Sequence, residues 1–222
     1  MTTKNHGNQR PVDRFAILEP LLFVALAIVY VWVIQPTRND WIRTPYMALV
    51  VLIPFASNLI HGDRLRDIGL RFDNLPASAR DVGLATLFGG VLVIAISLLA
   101  GQSPSLDREV SAAFFSYPLW GLAQQYAMQS FTLRRIFGAT GHKRGAAAGT
   151  ALLFAFLHWP NLALAIVTLV GGYVWCRLFI RHPNLLTLAL SHGWLAVLLR
   201  YSWPADWIHN LRIGPSFWTW TP

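Results

Sequence analysis

Three glutamines, Gln124, Gln125 and Gln129, interrupt the apolar phrase LAQQYAMQSF, and two histidines, His158 and His192, stand inside LLFAFLHWPN and TLALSHGWLAVLL. Polar groups withdrawn from water cost free energy unless they are hydrogen-bonded, so five of them in apolar segments mark candidate chemistry. A neutral imidazole takes up or delivers a proton near neutral pH, which makes His158 and His192 the candidate catalytic residues. An amide accepts no proton there. Gln124, Gln125 and Gln129 are therefore candidates for binding a substrate or orienting a water. Gln125 and Gln129 are four positions apart and share one helical stripe, with Gln124 about 100° round toward the neighbouring face. Phe154 and His158 have the same spacing, and Pro160 is expected to end or kink their helix just past the histidine. Glu19, Asn58, Ser130 and Ser191 complete the polar residues of the apolar runs, Glu19 reading as a carboxylate near the membrane interface.

The elements that must position these groups are membrane helices. The chain of 222 residues is 55% hydrophobic and 13% charged, against about 25% charged for a soluble domain. Long uncharged runs approach the roughly 20 residues that cross a bilayer core. The reading is an all-α, polytopic helix bundle with seven spans at about 15–34, 46–61, 82–100, 114–136, 146–160, 162–181 and 184–202. Residues 1–14 read as a cytoplasmic tail without a cleavage site, 15–203 as the transmembrane domain, and 204–222 as a Trp-rich interfacial tail. The net charge of +8 does not indicate nucleic acid, because the basic residues flank apolar runs. Sorted by alternate loops, the 18 Lys and Arg fall thirteen to one side and five to the other, which places the N-terminus in the cytoplasm of a multi-pass cell-membrane protein. The loop HGDRLRDIGLRFDNLPASARD is expected to hold a short helix at headgroup level. One cysteine, Cys176, excludes an internal disulfide and reads as a small buried residue.

In order and spacing, these features resemble the CAAX prenyl protease and bacteriocin-processing family of membrane proteins, also called CPBP or Abi. The family's E-E-x-x-x-R, F-x-x-x-H and H-x-x-x-N slots read here Gln124-Gln125 to Gln129, Phe154 to His158, and His192 to Ala196. LRDIGLRFD, HWPN and the Gly-Gly of LVGGYVW also match, so the resemblance spans about residues 45–200. It implies an intramembrane endopeptidase in which the first Glu and the F-x-x-x-H histidine activate a water while the last His and Asn hold the oxyanion. Here both histidines remain, but the carboxylates and the arginine are all amides, so the charge is removed from both partners of an i, i+4 ion pair together.

Three functions follow from that departure. The first is a non-proteolytic protein that binds a lipid or a prenylated or transmembrane peptide in the former active-site cavity. The second is an active endopeptidase using His158 and His192, and the third a membrane enzyme acting on an isoprenoid or other lipid. Some family members are treated as metalloproteases; two histidines without a carboxylate fall short of the three ligands of a catalytic zinc, so no metal is expected. No cofactor is indicated by the sequence, and the expected partners are membrane lipids and a prenylated or transmembrane peptide, not nucleic acid.

Overall fold

A computed structural model describes residues 14–103 and 108–221. The expected N-terminal tail lies outside the described residues except for its last position. The described chain is helical, and five of its helices are long and apolar enough to cross a membrane. The first runs as α1 (Leu18–Val29) and continues through a wider π turn (Tyr30–Ile34) and a tight turn to Thr37. The others are α2 (Asp40–Ile60), α3 (Leu75–Leu99), α7 (Leu162–Arg181) and α8 (Leu185–Ser202). Between them lie α4 (Arg108–Gln125), a π-helical stretch (Tyr126–Leu133), α5 (Arg134–Thr140) and the shorter α6 (Lys143–Phe156). The segments α4 to α5 and α6 occupy the places of the remaining two expected spans, but glutamines and arginines dilute the first and the second has only 14 residues. Outward faces carry exposed Leu84, Leu87, Phe88, Ile166 and Val170, as lipid-facing helices do. The protein is a multi-pass membrane bundle.

Several boundaries move for local reasons. Asn39 accepts the Trp41 amide as a cap, so α2 starts six residues before the expected 46. Pro76 in the first turn of α3 starts that helix at Leu75 rather than 82, consuming the end of the loop expected to hold a surface helix. Residues 61–74 form turns instead of that helix. Gly69 there adopts a φ of +87°, and its carbonyl receives the Leu185 amide at 2.9 Å, which ties the loop to the start of α8. On the loop's exposed edge, the Arg71 hydrogen bond, with Arg66 beside it, holds the Asp73 carboxyl below its ordinary range. At the far end of the bundle α6 stops at Phe156, two residues before His158 and earlier than Pro160 alone would require.

Two packing devices position the interior. The first brings α4 and α8 into backbone contact. A methyl at Gly193 would sit 2.5 Å from the Pro118 nitrogen, and one at Gly121 would sit 2.8 Å from the Ala189 carbonyl oxygen. Small residues permit this approach, and dispersion and polar contacts then hold the helices where no water drives them together. The second device is a buried charged cluster joining α1, α2, the 61–74 loop and α5. Arg135, 5% exposed, donates to Glu19 Oε2 at 3.2 Å, Ser57 Oγ at 3.0 Å, Asp63 Oδ2 at 3.0 Å and Asn58 Oδ1 at 3.0 Å. Ser57 also donates to Glu19, His61 Nε2 lies 2.7 Å from Glu19 Oε1, and Arg134 reaches Asp63 and the Asp67 carbonyl. Asn58 Nδ2 completes the cluster by donating to the Tyr126 hydroxyl at 2.9 Å, which anchors the first residue of the π-helical stretch.

Beyond α8, α9 (Ala205–Ile208) and α10 (Pro215–Trp218) belong to a tail that folds back on the start of α7. His209, Asn210 and Leu211 all adopt positive φ, a conformation L-residues hold only when surrounding contacts impose it. Asn161 supplies the contacts: buried beneath them, it donates to the Ile208 carbonyl at 2.7 Å and the Arg212 carbonyl at 3.1 Å while capping α7 through Leu164. The Asn of HWPN thus serves two elements.

Candidate functional site

The glutamines straddle the point where α4 widens into π winding, a backbone form often found at functional sites. Gln124 and Gln125 both lie in α4, whose ordinary turn of about 100° per residue points them to neighbouring faces. Gln125 and Gln129 turn into the protein and are fully buried, whereas Gln124 is half-buried and lines a cavity. Gln129 Nε2 donates to Gln125 Oε1 at 3.1 Å, and Gln125 Nε2 lies 3.2 Å from His192 Nδ1. The expected i, i+4 stripe is therefore a hydrogen-bonded chain, and the α4–α8 glycine contact brings its end to His192. The Trp175 ring stacks on His192 with centroids 4.7 Å apart, and Trp175 Nε1 donates to Ser191 Oγ at 3.0 Å. Thr86 donates to the same Ser191 oxygen at 2.7 Å, so the imidazole's supporting wall is itself pinned from α3.

His158 sits in the turns after α6. Its Nδ1 lies 2.7 Å from the Phe154 carbonyl oxygen, so Nδ1 carries the proton and Nε2 is left as the acceptor. His192 has the opposite arrangement: the Gln125 amide N–H donates to Nδ1, which places the neutral imidazole's proton on Nε2. One histidine therefore offers a lone pair and the other an N–H. The Phe154 ring meets both edge-on, 4.7 Å from the His158 ring and 5.9 Å from the His192 ring.

Beside these groups lies a cavity of about 570 Å³, bounded by α1, α2, the Gln124 region of α4, the π-helical stretch and α6. Phe23, Val50, Phe55, Leu119 and Leu157 form much of its wall, and none of the described residues lining it is charged. Its polar groups include Gln124, His158 and Thr150. The Gln124 Oε1 and Thr150 Oγ1 atoms are buried and have no hydrogen-bond partner, an expensive condition inside a membrane protein. Gln125, Gln129 and His192 do not line this space; they form the layer behind it. The tail contributes Ile213 to the lining, so the segment clamped by Asn161 covers one end.

Thr150 and Trp175 were not among the expected residues. Thr150 had a readable signal, because Thr150, Phe154 and His158 recur at intervals of four and so share a stripe. Trp175 had none, since its stacking depends on how α7 meets α8. Among the described residues no three His, Cys, Asp or Glu side chains are placed to hold a metal ion. With two histidines and otherwise only amides and hydroxyls among the described polar groups here, the donor set falls short of the three ligands of a catalytic zinc.

Residues 108–198 match the family model described as type II CAAX prenyl endopeptidase, Rce1-like. The matched stretch, narrower than the 45–200 of the motif resemblance, contains all three glutamines and both histidines. No curated protein and no solved structure matches the chain.

Proposed function

We propose that this CPBP-like membrane protein binds an apolar membrane ligand, a lipid or a prenylated or transmembrane peptide, in the cavity beside Gln124 and His158, and does not hydrolyse peptides. One observation carries this reading. In the family's pattern the first glutamate supplies the base and the second pairs with the arginine; here those slots hold Gln124, an amide that accepts no proton, and Gln125, which spends its oxygen on Gln129 and an N–H on His192. No base remains among these three groups: Gln124 Oε1 is free to orient a water but cannot take its proton. Purified protein in lipid nanodiscs is expected to leave prenylated and transmembrane peptides intact while a photoactivatable lipid labels α4 and α6. Robust peptide cleavage would overturn the reading.

A second reading is favoured by the histidine tautomers: His158 Nε2 as acceptor and His192 Nε2–H as donor form the pair that water activation and oxyanion binding require. If cleavage is found, it should be abolished by His158→Ala, and that result would install this reading in place of the first.

The same proposal places the N-terminus in the cytoplasm and the Trp-rich tail at the outer interface, supported by the thirteen-to-five distribution of basic residues. Reporter fusions at Asp40 should read outside, and those at Arg71 and Arg144 inside. Asp40 and Arg71 reporting the same side would overturn this topology.

A further inference from the structure

Resting on the reading of the cavity as a ligand site, we propose that its occupant is a long-chain alcohol: one apolar chain with a neutral hydroxyl head, seated against His158 and Gln124. The volume of about 570 Å³ lies within the roughly 300–1,000 Å³ of small-molecule sites. Its walls admit an aliphatic or isoprenoid chain. The head is defined by charge and by unfilled hydrogen bonds.

Among the described residues no Lys, Arg, Asp or Glu lines the space, so a carboxylate or phosphate head would enter without a counter-ion from them. It would also face the lone pair of His158 Nε2, whose ring proton is committed to the Phe154 carbonyl. An isolated anion in such surroundings is strongly disfavoured. A head with no polar atom is also a poor match, because it leaves His158 Nε2 without a donor and Gln124 Oε1 and Thr150 Oγ1 as buried orphans. A hydroxyl satisfies both conditions: its O–H donates to an acceptor such as His158 Nε2 or Gln124 Oε1, and its oxygen accepts from the Gln124 amide or the Thr150 hydroxyl. Glu19, Asp63, Arg134 and Arg135 are bound to one another in a cluster linked through Asn58 to Tyr126 and are not among the lining residues.

The test uses the full chain in nanodiscs with a diazirine-bearing hexadecanol as photoprobe. Competitors of equal chain length are added at equal mole fraction: hexadecanol, palmitate and hexadecyl phosphate at alkaline pH, and hexadecane. Labelling should map to peptides from α4 and α6. Hexadecanol should compete at least tenfold better than each of the other three, and His158→Phe should reduce that preference at least fivefold. His158→Gln, which restores an acceptor, should regain part of it. Preference for palmitate or the phosphate would overturn the hydroxyl head, as would equal competition by hexadecane. In either case labelled cavity peptides would leave the binding reading standing. Labelling confined to lipid-facing surfaces, with none at α4 and α6, would remove both.

Discussion

Replacing Arg135 with methionine is expected to destabilise the protein by about 3–5 kcal/mol, the range for breaking a buried ion pair from one side. The guanidinium is 5% exposed and makes four hydrogen bonds, to Glu19, Ser57, Asn58 and Asp63. Asp63, with 2% of its side chain exposed, would keep only its contact with Arg134. Arg135→Lys retains the charge but not the planar fork that spans four partners, so it should fall between methionine and wild type. Pairing Arg135→Met with Asp63→Asn removes the stranded carboxylate and should recover a substantial part of the loss. The midpoint of thermal unfolding in detergent reports all four proteins. A loss below about 1 kcal/mol for Arg135→Met would show that water reaches the cluster and that it behaves as a surface pair. Because Asn58 links the cluster to the Tyr126 hydroxyl and Tyr126 lines the cavity, the same substitution should weaken ligand labelling even in the fraction that remains folded.

The partners of Arg135 also show where sequence reading runs out. Hydrophobic runs located α7 and α8 to within a residue, because their ends coincide with Asn caps and charged residues. Charge alone misplaced the starts of α2 and α3, where Asn39 and Pro76 begin the helix ahead of the apolar stretch. Nothing in YAMQSFTL, with neither glycine nor proline, announces π winding. Arg135 reads naturally as an interfacial basic residue and Glu19 as a carboxylate near the lipid headgroups. Their meeting joins positions 116 apart in the chain, a tertiary fact without local signature. The motif residues were legible by type and spacing. The turn of Gln124 away from the Gln125–Gln129 stripe was legible too; that the stripe ends on His192 was not, because that contact follows from the close approach of α4 and α8 at Gly121 and Gly193.

That buried chain sets the second large effect. Gln125 and Gln129 are each 0% exposed, so Gln125→Glu introduces a carboxylate, and Gln129→Arg a cation, with no charged group among their described hydrogen-bond partners. Each single substitution should cost about 3–5 kcal/mol. The double variant places opposite charges one helical turn apart on groups already in contact at 3.1 Å. It should therefore recover about 2–3 kcal/mol of the summed loss, near the top of the coupling range for neighbouring residues. Additive losses would show that the wide π winding has carried the two side chains too far apart for an ion pair. The activity readout separates geometry from chemistry. Adding Gln124→Glu to the double variant puts a carboxylate on the cavity wall that His158 also lines, and this triple variant should gain a trace of prenylated-peptide cleavage absent from wild type. The gain should disappear with a further His158→Ala, because the imidazole shares in activating the water. A stable triple variant that binds peptide yet cleaves none would mean that the amides are not what keeps this site from hydrolysis. The cause would then lie in the placement of the two histidines against Phe154.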